Sequence, residues 1–193
     1  MNPELAQRAA MGGQNTVLPM LDSQTRLLVR CASALLRYPD DDLRGAVRNI
    51  RALLSEMASG MVPVLERILD HMEETPMHRL QQDYARTFDL DTQASLHLSW
   101  HRYGDDPKRG RALAGLMELY RDAGYEVLPG ELPDFLPLVL EFLSECPDWA
   151  AHCLMDGFGC QMRNVAAHLE KTQSPYAPVL GAALDALRVK EET

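Results

Sequence analysis

The chain has 193 residues, of which 46% are hydrophobic and 24% charged, and its formal net charge is −9. That length suits one domain, and that balance suits a buried core, which excludes a disordered chain. The negative charge argues against nucleic acid as a partner, because phosphate binding needs a basic surface.

Residues 1–20 are rich in Ala, Gly and Gln, show no apolar face and read as a flexible lead. Glu4, Gln7 and Arg8 fall where a signal peptide would carry its apolar core, and no apolar run reaches membrane-spanning length. The expectation is a cytoplasmic protein without stable membrane insertion. Gly12-Gly13-Gln14 matches a hydrolytic motif of translation release factors, but three residues near the terminus of an acidic chain are a chance match. A first helix starts at Asp22 or Ser23, either of which can cap it, and carries Leu28, Cys31 and Leu35 with Leu27 beside them. It stops at Tyr38-Pro39. Asp40 then caps a helix striped by Leu43, Val47, Ile50, Leu54 and Met57, which Gly60 ends. Pro63 opens a third helix with Leu65, Ile68, Leu69 and Met72 inward. Thr75 and Pro76 read as cap and first residue of a fourth, with Leu80, Tyr84 and Phe88 on one line.

Asp106 and Pro107 start a further helix, with Leu113, Leu116, Met117 and Tyr120 inward, Lys108 and Arg111 outward, and Gly124 as terminator. Residues 149–171 form a long helix with Leu154, Phe158, Met162, Val165 and Leu169 inward. Ser174 and Pro175 begin a last helix, with Leu180, Ala183, Leu184 and Leu187 inward, before a frayed tail at 189–193. Strand-type alternation is absent. The pattern predicts an all-α, single-domain helical bundle of roughly eight to ten helices over residues 21–188.

The functional reading lies in the middle of the chain. On a helical wheel over 133–145, Leu136, Val139, Leu140 and Leu143 share one side. Asp134, Glu141 and Glu145 share the other, and Phe135 and Phe142 line an edge between them. This fits either a solvated acidic surface or the wall of a groove for a peptide with apolar and basic groups. Catalytic signals are weak. His97 and His101 are four apart and could share a helix face, as a metal-dependent hydrolase would need, but Leu98 follows His97 where a zinc-protease motif requires glutamate. Cys146, Cys153 and Cys160 recur every seven residues, too far apart along a helix for one metal, and read with Cys31 as reduced, buried small hydrophobes. No catalytic residue, metal site or cofactor is expected.

Several motifs in order carry a resemblance: Ala32-Ser33-Ala34-Leu35-Leu36-Arg37-Tyr38-Pro39; Gln82-Asp83-Tyr84 with Thr87-Phe88-Asp89-Leu90; Ser95-Leu96-His97-Leu98; the run 101–113; Tyr120-Arg121-Asp122-Ala123-Gly124-Tyr125-Glu126; and Glu131-Leu132-Pro133-Asp134-Phe135-Leu136-Pro137 with Leu140-Glu141-Phe142-Leu143. Across residues 25–145 the chain resembles the NarJ family of nitrate reductase molybdenum cofactor assembly chaperones, relatives of the TorD and DmsD redox-enzyme maturation chaperones. It departs from that pattern at Asp105-Asp106-Pro107. The resemblance implies an all-helical, non-catalytic chaperone. Its partner would be the apo catalytic (alpha) subunit of a respiratory nitrate reductase, recognised through an N-terminal segment that is a remnant of a twin-arginine signal. The subunit would be held in the cytoplasm until molybdenum cofactor and an iron–sulfur cluster are inserted. Within the resemblance, Tyr84, Asp134, Phe135, Glu141 and Phe142 are the candidate client-binding residues. A generic helical scaffold, or a hydrolase using His97 and His101, are the other readings.

Overall fold

A computed structural model of the chain describes residues 21–56 and 62–188. The described helices are α1 (Ser23–Leu35), α2 (Leu43–Ser55), α3 (Val62–Glu74), α4 (Met77–Tyr84), α5 (Trp100–Tyr103), α6 (Lys108–Asp122), α7 (Leu136–Glu145), α8 (Asp148–Lys171) and α9 (Ala177–Arg188), with a π-helical turn at Ala85–Asp89 continuing α4. There is no strand among the described residues. One isolated antiparallel bridge joins His97 and Phe135. The expected lead at 1–20, the tail at 189–193, Met57 and Gly60 lie outside the described residues.

Helix α1 is central because it is buried on more than one side. It packs against α7 and against α9, and Leu28, Val29, Cys31, Ala32 and Leu35 are all buried. Its buried polar residues are satisfied across those contacts. Ser33 Oγ donates to the Pro137 carbonyl of α7 at 2.7 Å, and Thr25 Oγ1 to the Ala186 carbonyl of α9 at 3.5 Å. Asp22 caps the helix by accepting from the Thr25 amide. Arg26 closes the far corner, donating to the Cys146 carbonyl and to Asp148, each at 2.9 Å, where Pro147 separates α7 from α8.

Helices α2 and α3 pair through the expected stripes, Leu43, Val47, Ile50 and Leu54 against Leu65, Ile68, Leu69 and Met72. Arg44 donates to the carbonyls of Met72, Glu73 and Thr75, which takes up acceptors that the end of α3 leaves without intrahelical donors. Four rings, Tyr38, Tyr84, Phe88 and Tyr176, tie the π turn to the start of α9 at centroid separations of 4.8–5.9 Å. The Leu90 amide bonds back to the Ala85 carbonyl, five residues earlier, so both Tyr84 and Phe88 stay on the ring cluster.

Four expectations need correction. Asp40 is not the N-cap of α2: its side chain accepts from the Asp42 amide and forms a turn, and Asp42 holds the cap position. Pro76 sits at the cap of α4, and Thr75 bonds back to His71 of α3 instead. Met117 is exposed on α6, which packs mainly by Leu116 and Tyr120. Cys153 and Cys160 face outward on α8, while Cys31 and Cys146 are buried, with their thiols pushed up to about 11 by desolvation. No described helix is long and apolar enough to cross a membrane.

Leu140 is fully buried in α7, the helix against which α1 packs. Leu140→Ala is expected to destabilise the fold by about 2–5 kcal/mol, through lost transfer energy and a residual cavity. Urea unfolding followed by circular dichroism checks this, and a midpoint equal to wild type would contradict the central placement of the α1–α7 contact.

Candidate functional site

Helix α7 begins at Leu136, not at Pro133, for a local reason. Pro137 has no N–H to give to the Pro133 carbonyl four residues back. The Tyr120 hydroxyl of α6 takes that carbonyl instead, at 2.8 Å. Residues before Leu136 form a turn instead, closed by the Phe135 amide on the Leu132 carbonyl at 3.1 Å, and Phe135 bridges to His97: the Leu98 amide donates to the Asp134 carbonyl at 3.0 Å and the Leu136 amide to the Leu96 carbonyl at 2.7 Å.

This pairing draws Asp134 inward. The wheel had placed it on an outward acidic stripe with Glu141 and Glu145, but it is 0% exposed. Its carboxylate accepts from the Ser99 amide at 3.0 Å, from the Ser99 hydroxyl and from His97 Nδ1 at 3.4 Å, with Arg109 Nη2 at 3.9 Å. Arg109 also donates to Ser99 Oγ at 2.9 Å. Burial pushes the Asp134 carboxyl up, but the bonds from His97 and Ser99 outweigh it and hold the group below the usual carboxylate range.

The two histidines do not form a metal site. His97 lies at the isolated bridge ahead of the short α5 and is engaged by Asp134, whereas His101 Nε2 contacts the Ser95 carbonyl at 2.7 Å. Among the described residues no group of three or more His, Cys, Asp or Glu is placed to hold a metal ion.

Beside α7, the surface opens into a cleft of about 280 Å³. Tyr120, Tyr125, Val127, Leu138 and Phe142 make its apolar floor, and Leu128, 70% exposed, stands on its edge. The Phe142 ring is packed between Tyr120 at 4.4 Å and Tyr125 at 5.2 Å. Four carboxylates, Glu126, Glu131, Glu141 and Glu145, line the same cleft with a single cation, Arg37. The Tyr125 hydroxyl is raised by burial and then by the charge of Glu145.

An ion-pair chain crosses the rim. Arg37 meets Glu141 at 2.8 Å and Glu131 at 3.3 Å, and Arg30 meets Glu141 at 3.1 Å and Glu145 at 2.8 Å. Beyond it lies a second cleft of about 230 Å³, lined among others by Ala34, Tyr38, Asp40, Asp42 and Ala46.

Of the five candidate residues, Glu141 and Phe142 line the first cleft. Phe142 does so as floor, at 4% exposure. Tyr84, Asp134 and Phe135 do not line it. Tyr84 is buried in the ring cluster with its hydroxyl on the Leu36 carbonyl, and Phe135 is half-buried against the His97 ring. The wheel overlooked Arg30, Arg37, Tyr125 and Leu128. A signal existed: Arg30 and Arg37 are seven apart in sequence, and although α1 ends at Leu35, before Arg37, both cations meet Glu141.

Residues 40–180 match the family model described as nitrate reductase delta subunit. The match extends well past 145, where the motifs quoted above end. Over 165 residues the chain is 32% identical to the Bacillus subtilis protein described as probable nitrate reductase molybdenum cofactor assembly chaperone NarJ, covering 82% of this chain and 89% of that one. It is 30% identical over 152 residues to Escherichia coli NarJ, a nitrate reductase molybdenum cofactor assembly chaperone, covering 75% and 63%. It is 29% identical over 170 residues to the nitrate reductase-like protein NarX of Mycobacterium tuberculosis, of which it spans 26%. Among solved structures, a protein from Archaeoglobus fulgidus described as a redox enzyme maturation protein shares the fold, with a TM-score of 0.62, 21% identity, and coverage of 90% of this chain and 99% of that one.

Asp134→Asn is expected to cost about 2–4 kcal/mol near neutral pH, because Arg109, His97 and Ser99 lose a charged acceptor. A carboxylate whose folded pKa is depressed contributes stability above its unfolded pKa, about 4, and loses it as pH falls through the folded value. The gap between wild type and Asp134→Asn should therefore close as pH drops below about 4. Urea midpoints across an acid series measure it, and a gap constant down to strong acid would contradict the ionised assignment.

Proposed function

The chain belongs to the nitrate reductase delta subunit family, and on that premise we propose that it is an assembly chaperone for a molybdenum-containing nitrate reductase. It binds the apo catalytic subunit in the cytoplasm, engages its N-terminal segment, and keeps it competent for insertion of molybdenum cofactor and an iron–sulfur cluster before membrane docking. The relatives named above as assembly chaperones support a non-catalytic role. The observation that carries the binding mode is the cleft on α7, which joins an aromatic floor to a rim of four carboxylates.

Such a surface fits an amphipathic segment that lays apolar side chains on Tyr125, Val127 and Phe142 and points cations at Glu131, Glu141 and Glu145. The apolar part supplies most of the affinity, and the charges choose orientation and partner. Holding a client open needs only that the chaperone binds the open state more tightly than the closed one, so no nucleotide is required. Asp134 contributes at one remove, by fixing where α7 begins and hence where Glu141 and Phe142 stand.

Tagged chain should retain the catalytic subunit from cells blocked in molybdenum cofactor synthesis and release it from cells that complete the enzyme. Equal recovery of the finished complex would favour a scaffold subunit. Leu128 is mostly solvent-exposed, so Leu128→Asp should leave the thermal midpoint unchanged while weakening a synthetic N-terminal segment peptide by roughly ten-fold in calorimetry. Unaltered affinity would remove this cleft as the site.

A further inference from the structure

The two clefts beside α7 share only two lining residues, Arg37 and Glu141. The partition between them is thus the ion pair of those two side chains, at 2.8 Å. We infer that Arg37 is a resident competitor for the client's cation: it holds Glu141 in the free protein, and docking moves it into the second cleft. This rests on the chaperone reading above and specifies what that site selects.

Three features support it. The pair is exchangeable, since the Arg37 side chain is 40% exposed and that of Glu141 35%, and ion pairs so open to water are weak. Arg37 also lies just past the last residue of α1, ahead of Pro39, so its side chain can swing without unwinding a helix. Finally, a second place awaits the guanidinium: Asp40 and Asp42 line the second cleft, which Arg37 also lines. The first cleft needs a cation when Arg37 leaves, because four carboxylates then face it with only Arg30 nearby, paired to Glu141 and Glu145. An apolar segment without a cation has nothing to give Glu141 or Glu131 in exchange, so Arg37 stays on them and that segment forgoes the charge contact. The device makes charge a condition of tight binding, and apolar character alone does not satisfy it.

The test uses the full chain and two synthetic peptides copying the N-terminal segment of the catalytic subunit, one native and one with each arginine replaced by neutral, isosteric citrulline. Arg37→Gln should tighten the native peptide by roughly three- to ten-fold, the scale of one partly exposed charge contact, and leave the citrulline peptide unchanged. Glu141→Gln should reduce the preference for native over citrulline peptide to what Glu131 and Glu145 supply. Weaker or unchanged binding of the native peptide by Arg37→Gln, or equal strengthening of both peptides, would overturn the proposal while leaving the chaperone reading intact. A preference undiminished by Glu141→Gln would overturn it too. If wild type and Arg37→Gln bind neither peptide, the reading of this cleft as the client site falls, and the role of Arg37 falls with it. Thermal midpoints of both variants, expected near wild type because the pair is exposed, show that the folded protein is being compared.

Discussion

A carboxylate removed from water costs several kcal/mol unless donors surround it, and this constraint organises the middle of the chain. Asp134 is fully buried, so Ser99, His97 and Arg109 have to converge on it from a loop and from α6. That convergence fixes the short antiparallel pairing of 96–98 with 134–136. The pairing in turn sets the first residue of α7. Since α7 packs along α1, the register of the central helix pair depends on one buried acid and on the missing amide of Pro137.

The rest of the bundle shows the same use of polar groups at element ends. Arg26 joins the start of α1 to the α7–α8 corner, and Arg44 holds the carbonyls that α3 leaves open. Each guanidinium presents several donors in a fixed fork, which suits carbonyls that a helix terminus splays apart. Apolar stripes make the helices adhere, but they are tolerant of sliding. Contacts between an arginine and a specified helix end are not tolerant, so they choose among the packings that the stripes would allow.

Most of the helical bundle was legible because its signals are local. Leu43, Val47, Ile50 and Leu54, or Leu154, Phe158, Met162, Val165 and Leu169, announce a buried face by spacing alone. The errors have a common cause. A wheel puts Asp134 on an outward acidic stripe because it assumes that the helix has already begun, whereas the start of α7 is set by Tyr120 and Ser99, which are distant in sequence. Cys153 and Cys160 were read as buried because their residue type usually is, while the side of α8 that faces solvent depends on where the other helices lie. The π turn at Ala85–Asp89 leaves no mark in composition. In the candidate site, Glu141 and Phe142 share one helix, whereas Arg30 lies on α1 and Arg37 just past its end, and only the packing of α1 on α7 brings the four together.

A groove that binds and then releases a client faces a conflict of its own. An uninterrupted apolar floor would bind many exposed segments, including those of a second copy of this chain. A floor rimmed by charges avoids that, because an unsuitable partner must desolvate carboxylates without pairing them. Surface ion pairs suit this duty through their weakness: they discriminate among partners and quicken encounter more than they slow release. Arg30 and Arg37 offset part of the rim's charge while the groove is empty, so the acidic face repels itself less and Glu141 is held against stray cations. In the proposed exchange the client's cation replaces Arg37, so one ion pair forms as another is lost, which would keep the net gain in affinity small. Discrimination without permanence is what a temporary partner needs, and the exposure of the rim pairs supplies both.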